Sequence, residues 1–315
     1  MMTQDSLALV FPGQGSQKVG MMSDAYESFK SVRDTFEEAA TVVDYDMWAR
    51  IKEGPQETLN LTETTQPVLL TCSVALWRAW QEQGGVMPGI MAGHSLGEFS
   101  ALVCAGALSF TDAVALVRRR GEFMQTAVPV GVGAMAVVLG LDDSVINEIC
   151  ATLTRDGASV SPVNYNSPGQ VVIAGHSAAV EAACVALKKA GATRTLPLPV
   201  SAPFHTSLMK PAGEQLAQAI ADIAIAIPSI PVVHNVNAQI QSDPEKIRSV
   251  LVEQIYSPVL WTGCMRFMID RGTTRLVECG PGKVLSGLAR RIDKSLIVAS
   301  IEQPEALTAV ISEIT

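Results

Sequence analysis

Two serines in the chain lie in nearly the same local sequence, and both are candidate nucleophiles: Met91-Ala-Gly-His-Ser-Leu-Gly-Glu98 and Ile173-Ala-Gly-His-Ser-Ala-Ala-Val180. In the pattern G-x-S-x-G, the serine occupies a tight turn between a strand and a helix, where its hydroxyl is exposed. Ser95 has both glycines, whereas an alanine replaces the second glycine after Ser177. We therefore predict that Ser95 is the nucleophile and that Ser177 caps a helix over residues 177–190. A capping role also remains open for Ser95.

A serine nucleophile needs a neighbouring base, and the chain contains four histidines. His94 and His176 adjoin the two serines and should point elsewhere, while His234 lies in a strand-like run. His205 follows the middle stretch of the chain, where it can meet Ser95 across a cleft. We predict that His205 is the base, although a structural role is the common one for a single histidine.

An arginine interrupts the apolar face of a helix predicted over residues 112–125. Arg118 and Arg119 lie beside Glu122 on a solvated face, but Arg120 shares its face with Ala113, Leu116, Val117, Phe123 and Met124. A guanidinium on a buried face is costly without an anionic partner, and its planar fork suits a carboxylate. The partner is either a structural Asp or Glu or the carboxylate of a substrate.

The elements that position these residues alternate between strands and helices at both ends of the chain. This alternation predicts a parallel α/β sheet covered on both faces. The strand-like runs are 7–11, the run entering Gly93, 231–236 and 275–279, and the helical patterns lie near 23–40, 66–83 and 112–125, from Asp243 onward and over 283–292.

The middle of the chain has a different order of elements. Strand-like runs over 134–139, 160–165, 171–174 and 194–198 enclose helical patterns over 142–153 and 177–190. This βαββαβ order is the ferredoxin-like arrangement, which can form its own small domain. We therefore predict a small domain over 131–200 inserted into a larger α/β domain formed by 1–130 and 201–315.

Composition and charge exclude several classes of protein. The 315 residues are 48% hydrophobic and 17% charged, and no apolar run approaches the roughly 18 residues of a membrane span. The first residues do not resemble a signal peptide, so we expect a cytoplasmic protein. Six cysteines without metal-like spacing predict reduced thiols. We expect neither a metal nor a bound cofactor. The net charge of −8 argues against bulk nucleic-acid binding.

Six ordered motifs resemble those of the malonyl-CoA:acyl carrier protein transacylases of bacterial fatty-acid synthesis, and the match spans the whole chain. They are Phe11-Pro-Gly-Gln-Gly-Ser-Gln17, Gly93-His-Ser-Leu-Gly97, Arg120 at the family's distance from Ser95, Val163-Asn-Tyr-Asn-Ser-Pro-Gly169, Pro203-Phe-His205 and Glu278-Cys-Gly-Pro-Gly282. The resemblance implies a hydrolase-like large domain with a ferredoxin-like insertion. It also implies transfer of malonyl from CoA to the phosphopantetheine thiol of acyl carrier protein through a malonyl-serine intermediate.

The resemblance further assigns roles to residues around Ser95 and His205. It implies that Arg120 binds the malonyl carboxylate and that the backbone carbonyl of Gln254 orients His205. The remaining implied roles are an oxyanion hole from the amides of Gln14 and Leu96, a pocket lining from His94, Asn164 and Asn166, and a ring at Phe204 that crowds substituents on the malonyl C2. Turn, cap or core-packing roles are the alternatives for Gln14 and for the lining residues.

An acidic carrier protein needs a local basic patch on a partner of net negative charge. The candidates are Arg194 at the end of the small domain and Arg290 and Arg291 at the end of the helix over 283–292; Lys188 and Lys189 are secondary candidates. Basic residues are also common at helix C-termini, where they complement the dipole. The patch therefore has an ordinary structural alternative.

Three other functions remain open. The same acyl transfer can serve polyketide synthesis or malonate decarboxylation. A serine esterase would also use Ser95 and His205, but it would have no use for Arg120. A non-catalytic carrier-binding module would not become acylated at Ser95. We expect a monomer.

Overall fold

The computed structural model describes residues 6–200 and 202–314; residues 1–5, 201 and 315, which belong to the predicted large domain, lie outside the described residues. Within those ranges the strands are β1 (Leu7–Phe11), β2 (Ile90–Gly93), β3 (Gly133–Leu139), β4 (Val160–Ser167), β5 (Gln170–His176), β6 (Arg194–Pro197), β7 (Val232–His234), β8 (Gln239–Ile240), β9 (Arg275–Glu278) and β10 (Ile297–Ser300). The helices are α1 (Ser23–Ser28), α2 (Lys30–Ala40), α3 (Met47–Glu53), α4 (Gln56–Leu59), α5 (Thr62–Glu82), α6 (Leu96–Cys104), α7 (Phe110–Thr126), α8 (Asp143–Leu153), α9 (Ser177–Lys189), α10 (Lys210–Ile220), α11 (Pro244–Gln254), α12 (Trp261–Asp270), α13 (Val284–Ile292) and α14 (Pro304–Ile314).

The larger sheet has the strand order β10-β9-β1-β2-β7-β8. Neighbouring strands run parallel except β7 and β8, which are antiparallel. Every residue of β1 is buried, as expected for a strand that is covered on both faces. The predicted parallel α/β sheet is confirmed.

The smaller sheet is separate, antiparallel and ordered β4-β5-β3-β6. Helices α8 and α9 bury their apolar residues on this sheet, for example Ile146 and Leu187 against Val138 and Val171. The order of elements from β3 to β6 agrees with the order read from the sequence. The two sheets meet where the loop before α12 pairs with β4: Val259 donates to the Val163 carbonyl at 2.8 Å and accepts from the Tyr165 amide at 3.0 Å.

One prediction about a helix end is wrong. Helix α9 begins at Ser177, but its N-cap residue is His176, and no side chain caps the helix. The hydroxyl of Ser177 instead donates to the Gly131 carbonyl at 2.8 Å. Since Ser177 already has helical geometry, its oxygen is not placed to accept from the amides that a cap satisfies.

Other boundaries differ from the sequence patterns. Helix α5 begins at Thr62, earlier than predicted, and contains Pro67. Tertiary packing buries this segment and outweighs its low helix propensity. The helical pattern near 23–40 is broken at Phe29, whose backbone is extended. Among residues 6–200 and 202–314, no helix combines the length and apolarity that a bilayer crossing requires.

Candidate active site

Ser95 occupies the turn between β2 and α6, with φ 51° and ψ −106°. The two flanking glycines are required because α6 packs directly against the neighbouring strands. A Cβ on Gly97 would lie 2.0 Å from the Phe11 carbonyl oxygen, and a Cβ on Gly93 would lie 1.9 Å from the backbone of Gly97. The G-x-S-x-G pattern therefore marks a close approach of backbone segments that presents the serine hydroxyl at the start of a helix.

His205 lies beside the serine hydroxyl. Its Nε2 is 2.8 Å from Ser95 Oγ, and its Nδ1 is 2.8 Å from the backbone carbonyl oxygen of Gln254. A carbonyl only accepts, so Nδ1 carries the proton and Nε2 is free to accept the proton of Ser95. The arrangement is a serine–histidine pair whose orienting group is a peptide carbonyl instead of a carboxylate.

Burial and the charge of Arg120 lower the pKa of His205 to about 3. The ring is therefore neutral at physiological pH, which is the state that a general base needs. The same two causes make the imidazolium costly once it forms. An anion bound to Arg120 would remove one of them.

Arg120 is 1% exposed and lies close to Ser95. It donates to three neutral oxygens: Gln66 Oε1 at 2.7 Å, Gln254 Oε1 at 2.7 Å and Ser95 Oγ at 3.2 Å. Burial lowers its pKa to about 10, so it remains a cation at neutral pH. No described Asp or Glu forms an ion pair with it. Within residues 6–200 and 202–314, the structural carboxylate that was one of the two explanations for this arginine is therefore absent.

A cavity between the two sheets opens beside Ser95. Its walls come from the larger sheet with its helices and from the smaller sheet with the segment that follows it: Gln14, Gln66, His94, Ser95, Leu96, Arg120, Met124, Met135, Asn164, Leu198, Val200, Phe204 and His205. The set combines a nucleophile, a base and an unpaired buried cation. Such a set suits attack on an acyl group that carries a negative charge. In the part of the chain that the structure describes, no His, Cys, Asp or Glu side chains form a cluster that could hold a metal ion.

Comparisons with known proteins agree with this geometry. The acyl transferase domain family model matches residues 8–302. The chain is 54% identical to the malonyl CoA-acyl carrier protein transacylase of Salmonella typhimurium, over 99% of this chain and 100% of that protein, and 44% identical to that of Bacillus subtilis, over 96% and 95%. The chain belongs to the malonyl-CoA:acyl carrier protein transacylase family. The resemblance read from the six motifs is therefore confirmed.

Solved structures of similar transacylases have nearly the same fold. The enzyme of Xanthomonas oryzae superimposes with a TM-score of 0.96 at 49% identity and covers 99% of both chains. A malonyl-transacylase in complex with a type II polyketide acyl carrier protein gives a TM-score of 0.96 at 51% identity, covering 98% of this chain and 99% of that one.

The remaining predicted pocket residues of the transacylase lie around the same cavity. Gln14 and Leu96 line it beside Ser95, and within the described residues neither amide donates to a protein acceptor. His94 Nε2 and Asn166 Oδ1 are 2.8 Å apart, and burial lowers the pKa of His94. Asn166 lines an adjoining cavity that shares Gln14, His94, Asn164 and Leu198 with the first. Phe204 is 8% exposed and lines the first cavity.

Two of the candidate docking arginines of the transacylase, Arg194 and Arg291, lie in one row, and Arg290 is the neighbour of Arg291 in α13. Arg194 on β6 is opposite Leu139 on β3, and Leu139 is opposite Gln170 on β5. Gln170 in turn accepts a hydrogen bond from Arg291 of α13. Arg290 donates to the Val298 carbonyl, and all three arginines are exposed. Since Gln170 also lines the adjoining cavity, the row extends from the small sheet to α13 along the rim of the site.

Sequence reasoning missed three residues that support the transacylase site. Gln66 accepts from Arg120, Asn235 Oδ1 accepts from the Ser95 amide at 2.7 Å, and Glu98 is buried behind the turn. For Glu98 and Asn235 the sequence signal is a polar residue beside apolar ones, whereas Gln66 follows the polar run 62–65 and has no such signal. The side chain of Gln254 also contacts Arg120, a role that the resemblance did not include.

Proposed function

We propose that this transacylase moves a malonyl group from malonyl-CoA to the phosphopantetheine thiol of an acyl carrier protein, supplying fatty-acid synthesis. The observation that carries the proposal is the buried guanidinium of Arg120, which has no carboxylate partner among the described residues and lies 3.2 Å from Ser95 Oγ. A dicarboxylic acyl group attached to Ser95 would place its free carboxylate within reach of this cation. Two parallel hydrogen bonds to one carboxylate are the preferred geometry of arginine.

In the first half-reaction, Ser95 Oγ attacks the thioester carbonyl of malonyl-CoA while His205 Nε2 takes its proton. The oxyanion is stabilised by the amides of Gln14 and Leu96, which line the cavity and are free to donate. Collapse of the intermediate breaks the C–S bond, and His205 returns the proton to the CoA sulfur. The product is a malonyl ester of Ser95.

In the second half-reaction, the carrier's phosphopantetheine thiol gives its proton to His205 and attacks the ester carbonyl. The second tetrahedral intermediate uses the same two amides. Its collapse breaks the bond to Ser95 Oγ, which recovers a proton from His205. The covalent intermediate forms with release of CoA and then reacts with the carrier, and this order gives ping-pong kinetics. Phe204 lines the cavity that would hold the malonyl group, and its ring would hinder acyl groups with a branch at C2.

We also propose finer assignments for the fold. The order β4-β5-β3-β6 with two helices on one face supports a ferredoxin-like small domain over 131–200. The strand–serine–helix turn of the parallel sheet supports a hydrolase-like large domain over 1–130 and 201–315.

The proposed carrier surface is the row of Arg194 and Arg291, together with the neighbouring Arg290, at the rim of the cleft. Its support is the exposed position of the row beside the cavity and the similarity to a transacylase solved with an acyl carrier protein. We further propose a cytoplasmic monomer that binds neither nucleic acid nor membrane. Support for the monomer is that the nucleophile, base and cation come from one chain, and buried free thiols favour a reducing compartment.

Intact mass spectrometry tests the function directly. The protein is mixed with malonyl-CoA and then with a phosphopantetheinylated acyl carrier protein. We expect the mass of one malonyl group to appear on Ser95 and then to move to the carrier. Rapid loss of the malonyl group to water would support an esterase, and a protein that never becomes acylated would support a non-catalytic binding module.

A second pathway has a specific observation in its favour. The similar transacylase in complex with a type II polyketide acyl carrier protein is 51% identical to this chain. The same transfer can therefore supply polyketide synthesis, whereas no observation favours malonate decarboxylation. Transfer rates to a fatty-acid carrier and to a polyketide carrier from the same source would separate the two.

A further inference from the structure

Glu98 is a fully buried carboxylate directly behind the turn that holds Ser95. Its Oε1 lies 2.7 Å from His234 Nδ1, and its Oε2 accepts from the Asn235 amide at 3.0 Å and from Gln254 Nε2 at 2.7 Å. It does not line the cavity beside the nucleophile. Because burying a carboxylate is costly, its position indicates a role beyond filling space.

The contacts of Gln254 fix which way its side-chain amide points. Nε2 lies 2.7 Å from Glu98 Oε2 and 3.0 Å from the Ser95 carbonyl oxygen, and both oxygens accept. Oε1 lies 2.7 Å from Arg120 Nη2, which only donates. Turning the amide over would place oxygen against oxygen and nitrogen against nitrogen. Glu98 and the Ser95 carbonyl together therefore favour the orientation in which an oxygen, and not an NH₂ group, faces Arg120.

Side chain and backbone of Gln254 serve different groups. The side chain holds Arg120, while the backbone carbonyl accepts from His205 Nδ1. A rotation of the side-chain amide would thus disturb the cation and leave the serine–histidine pair in place. Arg120 would lose one of the two glutamine oxygens that hold its guanidinium.

We propose that Glu98 is a positioning residue that sets the preference for malonyl over uncharged acyl groups by orienting Gln254 against Arg120. This inference rests on the proposed function, in which Arg120 binds the malonyl carboxylate. Glu98 acts through contact: it supplies the shorter of the two hydrogen bonds that hold the amide nitrogen of Gln254, and the Ser95 carbonyl supplies the other.

Three variants separate contact from charge. Glu98→Gln removes the charge but keeps an oxygen facing Gln254, since His234 can accept from the new NH₂ group in its other tautomer. Glu98→Asp keeps the charge but is one methylene too short to reach Gln254. Glu98→Leu removes both. The readout is the ratio of the rates at which malonyl-CoA and acetyl-CoA acylate Ser95, measured by intact mass.

We expect the malonyl-to-acetyl ratio to fall by about tenfold or more in Glu98→Asp and Glu98→Leu, as for the loss of a charge-assisted contact, and to stay within about threefold of wild type in Glu98→Gln. The matched control is Glu278→Gln. Glu278 is also fully buried, but it accepts from the Leu285 and Ser286 amides and not from Gln254, so its loss should reduce stability and leave the ratio unchanged.

Two outcomes would overturn the inference. One is a folded Glu98→Asp or Glu98→Leu protein with the wild-type ratio or with equal losses for both substrates. The other is a ratio that falls in Glu98→Gln and survives in Glu98→Asp, which would make charge the cause. If Glu98→Leu does not fold, the comparison of Asp with Gln decides. A wild-type protein that malonyl-CoA does not acylate would instead refute the proposed function.

Discussion

At the scale of single residues, Arg120 contacts the nucleophile itself. Its Nη2 donates to Ser95 Oγ, whose own proton is directed at His205. A hydrogen bond from a cation withdraws electron density from the oxygen that must attack. A carboxylate that binds Arg120 would compete for this donor and would also relieve its unfavourable effect on a protonated His205. The charge of the acyl group would then favour its own transfer.

Arg120→Ala should therefore remove the preference for malonyl while sparing slow acylation by acetyl-CoA. A charge-assisted hydrogen bond contributes about 1.5 to 3 kcal/mol, so the malonyl-to-acetyl ratio of acylation rates should fall by about tenfold or more. Arg119→Ala is the control, because Arg119 is the exposed neighbour on the same helix. Equal losses for both substrates would mean that Arg120 only supports the fold.

The two serines should differ completely in their reactivity. Ser95→Ala should abolish acyl-enzyme formation, as judged by intact mass after exposure to malonyl-CoA. Ser177→Ala should form the acyl-enzyme normally and lose at most about 0.5 to 1.5 kcal/mol of stability, the contribution of its hydrogen bond to Gly131. Malonyl labelling that persists in Ser95→Ala would reject Ser95 as the nucleophile.

The buried base should make stability depend on pH. The pKa of His205 is about 3 in the folded protein and near 6.5 when unfolded, so the unfolded chain binds more protons between these values and stability falls as pH falls. The loss from this group between pH 7 and 5.5 is about 1 kcal/mol.

Urea unfolding at pH 7 and 5.5 measures this effect. His205→Gln should show a shallower loss, although the lowered pKa of His94 leaves part of it. Ser95→Ala retains the buried imidazole and should keep the wild-type loss. Identical pH dependence in wild type and His205→Gln would contradict a neutral buried His205.

At the scale of secondary-structure elements, the packing of α6 against β1 determines where the nucleophile lies. Gly97→Ala would bring a Cβ to 2.0 Å from the Phe11 carbonyl oxygen, so α6 must move and carry Ser95 with it. We expect a loss of about 1 to 3 kcal/mol or more in stability and loss of acylation by malonyl-CoA.

Gly287→Ala is the matched control for this substitution. Gly287 lies in α13, and a Cβ there would contact nothing within 4 Å. Alanine should therefore stabilise the protein by about 0.5 to 1 kcal/mol through helix propensity and leave acylation unchanged. Normal acylation by Gly97→Ala would show that the turn tolerates a wider separation of helix and strand.

The elements that could be predicted from the sequence are those with a strong apolar period or a clear turn. β1 is such a case because all of its residues are apolar and buried, and α7 and α8 are such cases because one buried face repeats along the helix. Helices α10, α12 and α14 were not predicted. The cap at Ser177 was wrong because serine next to a helix start does not reveal whether its own backbone is already helical.

The residues of the site likewise divide into those that the sequence predicts and those that it does not. The residue types and sequence contexts of Ser95, His205 and Arg120 indicate a nucleophile, a base and a carboxylate-binding cation. The structure brings the three side chains together. Glu98 and Asn235 act through hydrogen bonds to other side chains and to backbone. Such contacts join residues more than a hundred positions apart, and neither periodicity nor a local motif encodes them.

At the scale of the whole molecule, the row of arginines connects the small sheet to α13. We predict that Arg290→Glu combined with Arg291→Glu slows malonyl transfer to the carrier and weakens its dependence on salt, because an acidic partner would lose its attraction to the cleft rim. Acylation by malonyl-CoA should stay nearly unchanged. The two half-reactions are measured separately by intact mass and by stopped transfer assays over a range of ionic strength.

The control is Lys52→Glu combined with Lys246→Glu. These exposed residues on α3 and α11 give the same change in net charge and take no part in the proposed row. They should alter transfer much less. Equal losses in both half-reactions of the arginine variant would assign Arg290 and Arg291 to the fold or to CoA binding.

Among the described residues that line this cleft, one serine–histidine pair is present to react with two thiols. CoA and the carrier end in the same pantetheine group, so in the proposed mechanism the forward step for one is the reverse step for the other, with the same base and the same amides. The two thioesters are chemically alike, which leaves the overall equilibrium constant near one. Net flow is then set outside the protein, by how fast the malonyl-carrier is consumed and by how much free CoA is present to take the malonyl group back.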